Sequence, residues 1–247
     1  MPACLLAERV QSPTLARELA MPNAARGQQG PDVRRLQEWL CLRGIHVTVD
    51  GDFGPATQTA LGNAKLTPQL WEGLTQPLRA LTQSPKPTPL DELATMLTRT
   101  PGGVREVGGP NSGPWVRLFM DGNQGPAWPW CAGFATWVLR GFGADVVRTF
   151  SCDVLAESLV KKQLLQPRAT PAWVTANAGP GSLFFVTNPA RPSDRVHVGI
   201  VLDVVHNGEA IVTLEGNTND EGSREGYEVC KRTRAVGRLD VSRPLIS

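Results

Sequence analysis

The stretch His197-Val198-Gly199-Ile200-Val201-Leu202-Asp203-Val204-Val205-His206-Asn207-Gly208-Glu209-Ala210-Ile211-Val212-Thr213-Leu214-Glu215-Gly216-Asn217 decides how this chain folds. Two runs rich in β-branched residues flank Asn207-Gly208, a strong hairpin signal. In the first run the even positions are Val198, Ile200, Leu202 and Val204; in the second they are Ala210, Val212, Leu214 and Gly216. All are apolar or small. Both sets share one buried face only if paired residue numbers sum to an even number, which requires a loop of odd length. A three-residue loop over His206–Gly208, with Gly208 left-handed, meets that condition. It predicts Val205 opposite Glu209 and His197 opposite Asn217. Glu215 then lies diagonally from His197 on the same face, beside the open space at Gly199.

A second stretch, Ala127-Trp128-Pro129-Trp130-Cys131-Ala132-Gly133-Phe134-Ala135-Thr136-Trp137-Val138-Leu139, places one cysteine at the first turn of a helix. Pro126 and Pro129 suit the start of a helix, where a missing N–H costs nothing. Ala132 and Gly133 let that helix lie close to a neighbouring layer. A thiol at this end feels the positive pole of the helix dipole, which favours the nucleophilic thiolate. A base oriented by a carboxylate or amide completes an activated nucleophile. Cys131 is the expected nucleophile and His197 the base and later general acid. Glu215 or Asn217 would fix the imidazole tautomer. Trp128 and Trp130 are expected to line the substrate groove, with core packing as the competing role.

These residues resemble the CHAP family, part of the wider papain-like group that includes the NlpC-type cell-wall peptidases. The resemblance rests on the Trp130-Cys131-Ala132-Gly133-Phe134 helix, on Pro180-Gly181-Ser182-Leu183-Phe184-Phe185, on His197-Val198-Gly199 and on Glu215-Gly216-Asn217, and covers roughly residues 100 to 240. It implies a cysteine amidase or endopeptidase of peptidoglycan. Cys131 would be its nucleophile, His197 its base, Glu215 the orienting residue and Asn217 a fourth member. The Cys131 backbone N–H would serve in the oxyanion hole, with no side-chain donor assigned.

The amino-terminal third carries its own pattern. Gly27 to Leu40 reads as a helix with Val33, Leu36 and Leu40 on one stripe and Pro31-Asp32 at its start. It runs through Arg43-Gly44 into Asp50-Gly51-Asp52-Phe53-Gly54-Pro55. This is similar to the small three-helix peptidoglycan-binding module, with the last helix supplied by residues between Leu66 and Leu81. Asp50 and Asp52 lack the following bidentate Glu of a calcium loop, so turn and cap duties are expected of them. Thr82 to Pro89, with prolines at 85, 87 and 89, reads as a semi-rigid spacer. A helix from Leu90 to Leu97 follows it.

The sequence therefore predicts an α+β protein: an extension over 1–26, a helical module over 27–81, a Pro-rich linker and helix over 82–99, and a catalytic domain over 100–247 whose antiparallel sheet packs on the nucleophile helix. Peptidoglycan is the expected partner, with the module acting as a tethered anchor. A chain of 247 residues with 41% hydrophobic content can bury such cores. A net charge of +2, without a Lys/Arg cluster, argues against nucleic acid. Five cysteines in no metal-like spacing point to synthesis in a reducing compartment, with no metal or other cofactor expected. The four besides Cys131 read as packing or surface residues. No apolar run is long enough to span a membrane, and the amino terminus does not read as a signal peptide. Release to the wall would then need a holin, a secretion machine or lysis. The contrasting reading is a non-catalytic wall-binding or assembly protein on the same scaffold.

Overall fold

The computed structural model describes residues 3–4, 12–83, 88–219 and 226–246. Among them are ten α-helices: α1 Pro13–Leu19, α2 Pro31–Leu42, α3 Pro55–Ala60, α4 Pro68–Leu74, α5 Gln76–Thr82, α6 Leu90–Thr98, α7 Pro114–Phe119, α8 Cys131–Gly141, α9 Cys152–Lys161 and α10 Pro171–Asn177. Six begin on proline, whose fixed φ and missing N–H fit the first helical position. The strands are β1 Ala3–Cys4, β2 Thr88–Pro89, β3 Leu165–Gln166, β4 Leu183–Asn188, β5 Arg191–Val205, β6 Ala210–Thr218, β7 Glu228–Ala235 and β8 Leu239–Ser242. β1 pairs with β2, and the other six form one antiparallel sheet in the order β3-β8-β4-β5-β6-β7.

The β5–β6 hairpin departs from the three-residue loop. Val205 pairs with Ala210, not Glu209, so four residues make the turn. Three of them, His206, Asn207 and Gly208, have φ of 51°, 52° and 84°. A helical residue, Glu209, closes the turn. Pair numbers here sum to an odd value, which would put His197 and Glu215 on opposite faces. A bulge corrects it: Val201 pairs with Thr213 and Asp203 with Val212, leaving Leu202 unpaired between them. Beyond the bulge Ile200 faces Leu214, and the even parity needed at the site is restored. The bulge also sends Val204 to the opposite face from Ile200, where it packs with Val201 and Ile211 under α10.

Both sheet faces are thus covered. Val198, Ile200 and Leu214 bury against Phe134 and Val138 of α8, while Val201, Ile211, Val236 and Val241 form a second cluster with Val174 of α10. Gly133 permits the close approach of α8: a Cβ there would lie 2.3 Å from Met120 Sδ and 2.7 Å from the Phe119 carbonyl oxygen.

The amino-terminal helices are packed against the rest of the chain. One apolar cluster runs from Val33, Leu36, Leu40 and Trp71 to Trp115, Phe119 and Phe134. Trp39 meets Trp115 edge-on with ring centroids 6.1 Å apart. Arg117 of α7 donates to Glu18 of α1 and to Glu38 of α2, each at 2.7 Å, and both carboxylates are buried. The segment read as an extension therefore carries a structural helix. Pro85 and Pro87 of the spacer lie outside the described residues. The single last helix expected over 66–81 is instead α4 and α5, because Pro77 cannot donate to a preceding helical carbonyl; the ladder breaks there, and α5 starts at Gln76 with Pro77 in its first turn.

Candidate functional site

Cys131 is the first residue of α8, at a helix end without a side-chain cap, where the orphan N–H groups point outward. That end of the helix meets the amino-terminal half of β5. The Val198 N–H donates to the Cys131 sulfur, and the His197 imidazole lies close enough to that sulfur to favour its ionised form. His197 Nε2 lies 2.8 Å from Glu215 Oε2. Its buried Nδ1 has no hydrogen-bond partner and is the nitrogen left free to meet the thiol.

Glu215 is itself held. Thr213 donates to Oε1 at 2.6 Å, and Arg234 of β7 donates to Oε1 at 2.6 Å and to Oε2 at 2.5 Å. The Arg234 guanidinium also lies over the Phe184 ring, 5.3 Å from its centroid. Gly199 leaves the space that Glu215 and Phe184 occupy: a Cβ there would sit 2.8 Å from Glu215 Cγ and 2.6 Å from Phe184 Cε1.

Charge follows geometry. Burial pushes the Glu215 carboxyl up, but Arg234 and His197 outweigh it and bring the pKa down to about 2. Burial pulls His197 down, yet its bonds to Cys131 and Glu215 raise it to about 9. The Cys131 thiol is held well below its ordinary 9.0, first by the Cys152 thiol and then by His197 and the Val198 N–H, against the opposing effect of burial. Cys131, His197 and Glu215 thus follow one another in space, and Arg234 holds the far carboxylate.

This row of residues opens on a groove of about 730 Å³ lined in part by Cys131, Cys152, Glu106, Phe150, Arg195 and Asn217. Asn217 is placed on the groove and not on the imidazole. It is buried, has a φ of 57°, and its Oδ1 has no hydrogen-bond partner. Of the two residues expected to orient His197, only Glu215 touches it. Trp130, expected to line the groove, is instead fully buried, stacked on Phe119 at 5.7 Å and donating from Nε1 to Glu106. Trp128 is 37% exposed and packs edge-on against Phe150, so it stands at the rim. Gln124 accepts from the Gly113 N–H and from Arg117, which makes it structural.

Sequence reasoning missed Arg234, Thr213 and Cys152. Arg234 sits in Lys231-Arg232-Thr233-Arg234, an alternation that reads as a solvated edge. Cys152 had a usable signal: Ser151 caps α9 through the Val154 N–H and sets the cysteine first in the helix, as in α8.

The amino-terminal helices form a compact loop-and-helix unit around Gln37. Its Nε2 donates to Asp50 Oδ1 at 2.7 Å, to the Asp52 carbonyl at 3.0 Å and to Thr57 Oγ1 at 3.0 Å, while its Oε1 accepts from the Gly51 N–H. Asp50 also caps the Asp52 N–H, so its work is in the turn. Residues 31–76 match a family described as "Predicted Peptidoglycan domain", which supports a peptidoglycan-associated protein with peptidoglycan as its partner. No curated protein matches the chain. Among the described residues no helix is long and apolar enough to cross a membrane, and no group of three or more His, Cys, Asp or Glu residues could hold a metal ion.

Proposed function

We propose that the protein is a cysteine peptidoglycan hydrolase of the CHAP or NlpC type, on a papain-like arrangement of sheet and nucleophile helix. It would cut either the muramoyl–L-alanine amide or a peptide bond of the stem or cross-link. The observation that carries this reading is the buried Cys131–His197–Glu215 chain at the floor of an open groove.

The Cys131 thiolate attacks the amide carbonyl and forms a tetrahedral intermediate, whose oxyanion the Cys131 N–H at the uncapped end of α8 is placed to receive. The His197 imidazolium gives its proton to the departing amine, leaving a thioester. Neutral His197 then takes a proton from water, hydroxide adds to the thioester, and the carboxylate leaves as thiolate and imidazolium re-form. Glu215 holds the ring so that Nδ1 faces the sulfur. Asn217, with an unsatisfied amide end on the groove, is the residue placed to bind the substrate backbone.

The amino-terminal unit supplies wall affinity. A purely wall-binding protein is the second reading, favoured by the match over 31–76. Purified sacculi distinguish the two: wild-type protein should release new amine and carboxyl ends, which mass spectrometry assigns to one bond. Cys131→Ala should bind sacculi and lose essentially all release. Release that survives in Cys131→Ala would overturn the catalytic reading.

A further inference from the structure

Two cysteines share the groove. Cys131 and Cys152 each open a helix, α8 and α9, of 11 and 10 residues, and their sulfurs lie 3.7 Å apart. Both are thiols in this structure, 5% and 8% exposed, and both line the same open groove. A disulfide needs S–S of about 2.05 Å, so the sulfurs have only about 1.7 Å to close.

We propose that Cys131 and Cys152 are a reversible oxidation site, in which peroxide oxidises Cys131 and Cys152 resolves it as a disulfide. The Cys131 thiolate attacks one oxygen of hydrogen peroxide, forming Cys131–SOH and releasing hydroxide. The Cys152 thiol then attacks that sulfur. Its proton and the departing hydroxide leave as water, and the S–S bond forms. The sum is two thiols and one peroxide giving one disulfide and two waters. A dithiol reductant restores both thiols by two exchanges. The thiolate character that His197 and the Val198 N–H give Cys131 makes it the sulfur that reacts first. The neighbouring thiol also intercepts the sulfenic acid before a second peroxide converts it irreversibly to sulfinic acid. That the disulfide silences the protein rests on the reading of Cys131 as nucleophile; that it forms does not.

The test treats the full chain with equimolar hydrogen peroxide, alkylates remaining thiols, and maps peptides without reduction. The expected product joins the peptides of Cys131 and Cys152 with loss of two hydrogens, while Cys41 and Cys230 stay alkylated. Dithiothreitol should reverse it. In Cys152→Ala and Cys152→Ser, sulfinic and sulfonic acid at Cys131 should rise severalfold and resist dithiothreitol. Recovery of Cys131 as sulfinic acid in the wild type, with Cys152 alkylated, would overturn the proposal, as would unchanged reversibility in both variants. A chain that cross-links but never cleaves sacculi keeps this site and loses the hydrolase reading; an active chain that does not cross-link does the reverse.

Discussion

Arg234 grips both oxygens of Glu215, at 2.6 and 2.5 Å, from the neighbouring strand. Glu215 is fully buried and also bonded to His197, so the guanidinium keeps the carboxyl ionised where water cannot. Replacing Arg234 by Met leaves a buried carboxylate one cation short, which should cost about 3–5 kcal/mol of stability. Turnover should drop ~10–100-fold, as when the outer partner of a functional group is removed. Arg234→Lys should not restore it, since an ammonium cannot reproduce the two-pronged contact. Urea midpoints and turnover on a soluble muropeptide read both effects, and full rescue by Lys would show that charge alone matters.

The proposed thiolate–imidazolium pair predicts a bell-shaped kcat/KM. The acid limb reports Cys131 and should fall well below pH 9, while the basic limb reports loss of the His197 proton near pH 9. An acid limb at an ordinary thiol value would show that the pair does not exist in the resting protein.

Stability should follow the same groups with opposite signs. The folded pKa of Glu215 is depressed, so its contribution is present above about 4.5 and fades as pH falls through about 2. The folded pKa of His197 is raised, so its contribution is complete below 6.5 and is lost as pH rises through about 9. Cys131 acts the other way, its depressed pKa adding stability above its ordinary 9.0, and between pH 6.5 and 9 the two cancel because folded and unfolded pairs hold one proton each. Urea midpoints should therefore rise to about pH 6.5 and stay level to about pH 9, with Glu215→Gln removing the part of the acid slope below about 4.5.

Gly199→Ala drives a methyl into Glu215 and Phe184. Overpacking of this kind costs about 1–3 kcal/mol. The carboxylate it displaces is the one that sets the imidazole, so kcat/KM should fall further than stability. Equal losses in the two would argue that the position is only a packing point.

Removing residues 1–81 should damage the remainder, not merely weaken wall binding. The cut strips Trp39 from Trp115 and leaves the partly buried Arg117 without Glu18 and Glu38. Thermal unfolding of the full chain should be one transition, and the truncated chain should melt lower and turn over less even on a soluble muropeptide. Unchanged turnover would restore the picture of a tethered anchor.

Part of the candidate site's geometry is legible in the residues because its signals are local. Pro129 before Cys131 marks a helix start, and alternation around Asn207-Gly208 marks a hairpin. What stayed hidden depends on distant parts of the chain. Nothing near Arg234 in sequence announces Glu215, 19 positions away. Trp130 beside the cysteine resembles a groove wall until Phe119 stacks on it. The amphipathic stripe of α2 shows that Leu36 and Leu40 are buried, but not that they share their core with Trp115. The right parity was inferred from the wrong loop, because a bulge at Leu202 leaves no mark in a run of β-branched residues.

That bulge bears on how faithfully the chain can fold. Without it, continuous pairing from the four-residue turn would rotate β6 by one position and turn Glu215 toward α8 in place of Gly216. No room exists there: a Cβ on Gly216 would already lie 2.7 Å from both Phe134 Cγ and Trp130 Cζ3. The misaligned hairpin would also bury a carboxylate among aromatic rings with no cation in reach, a cost of several kcal/mol. The residue bonded to the imidazole thus also rejects the wrong strand alignment, so a molecule that completes its core has, by the same step, brought Glu215 to His197.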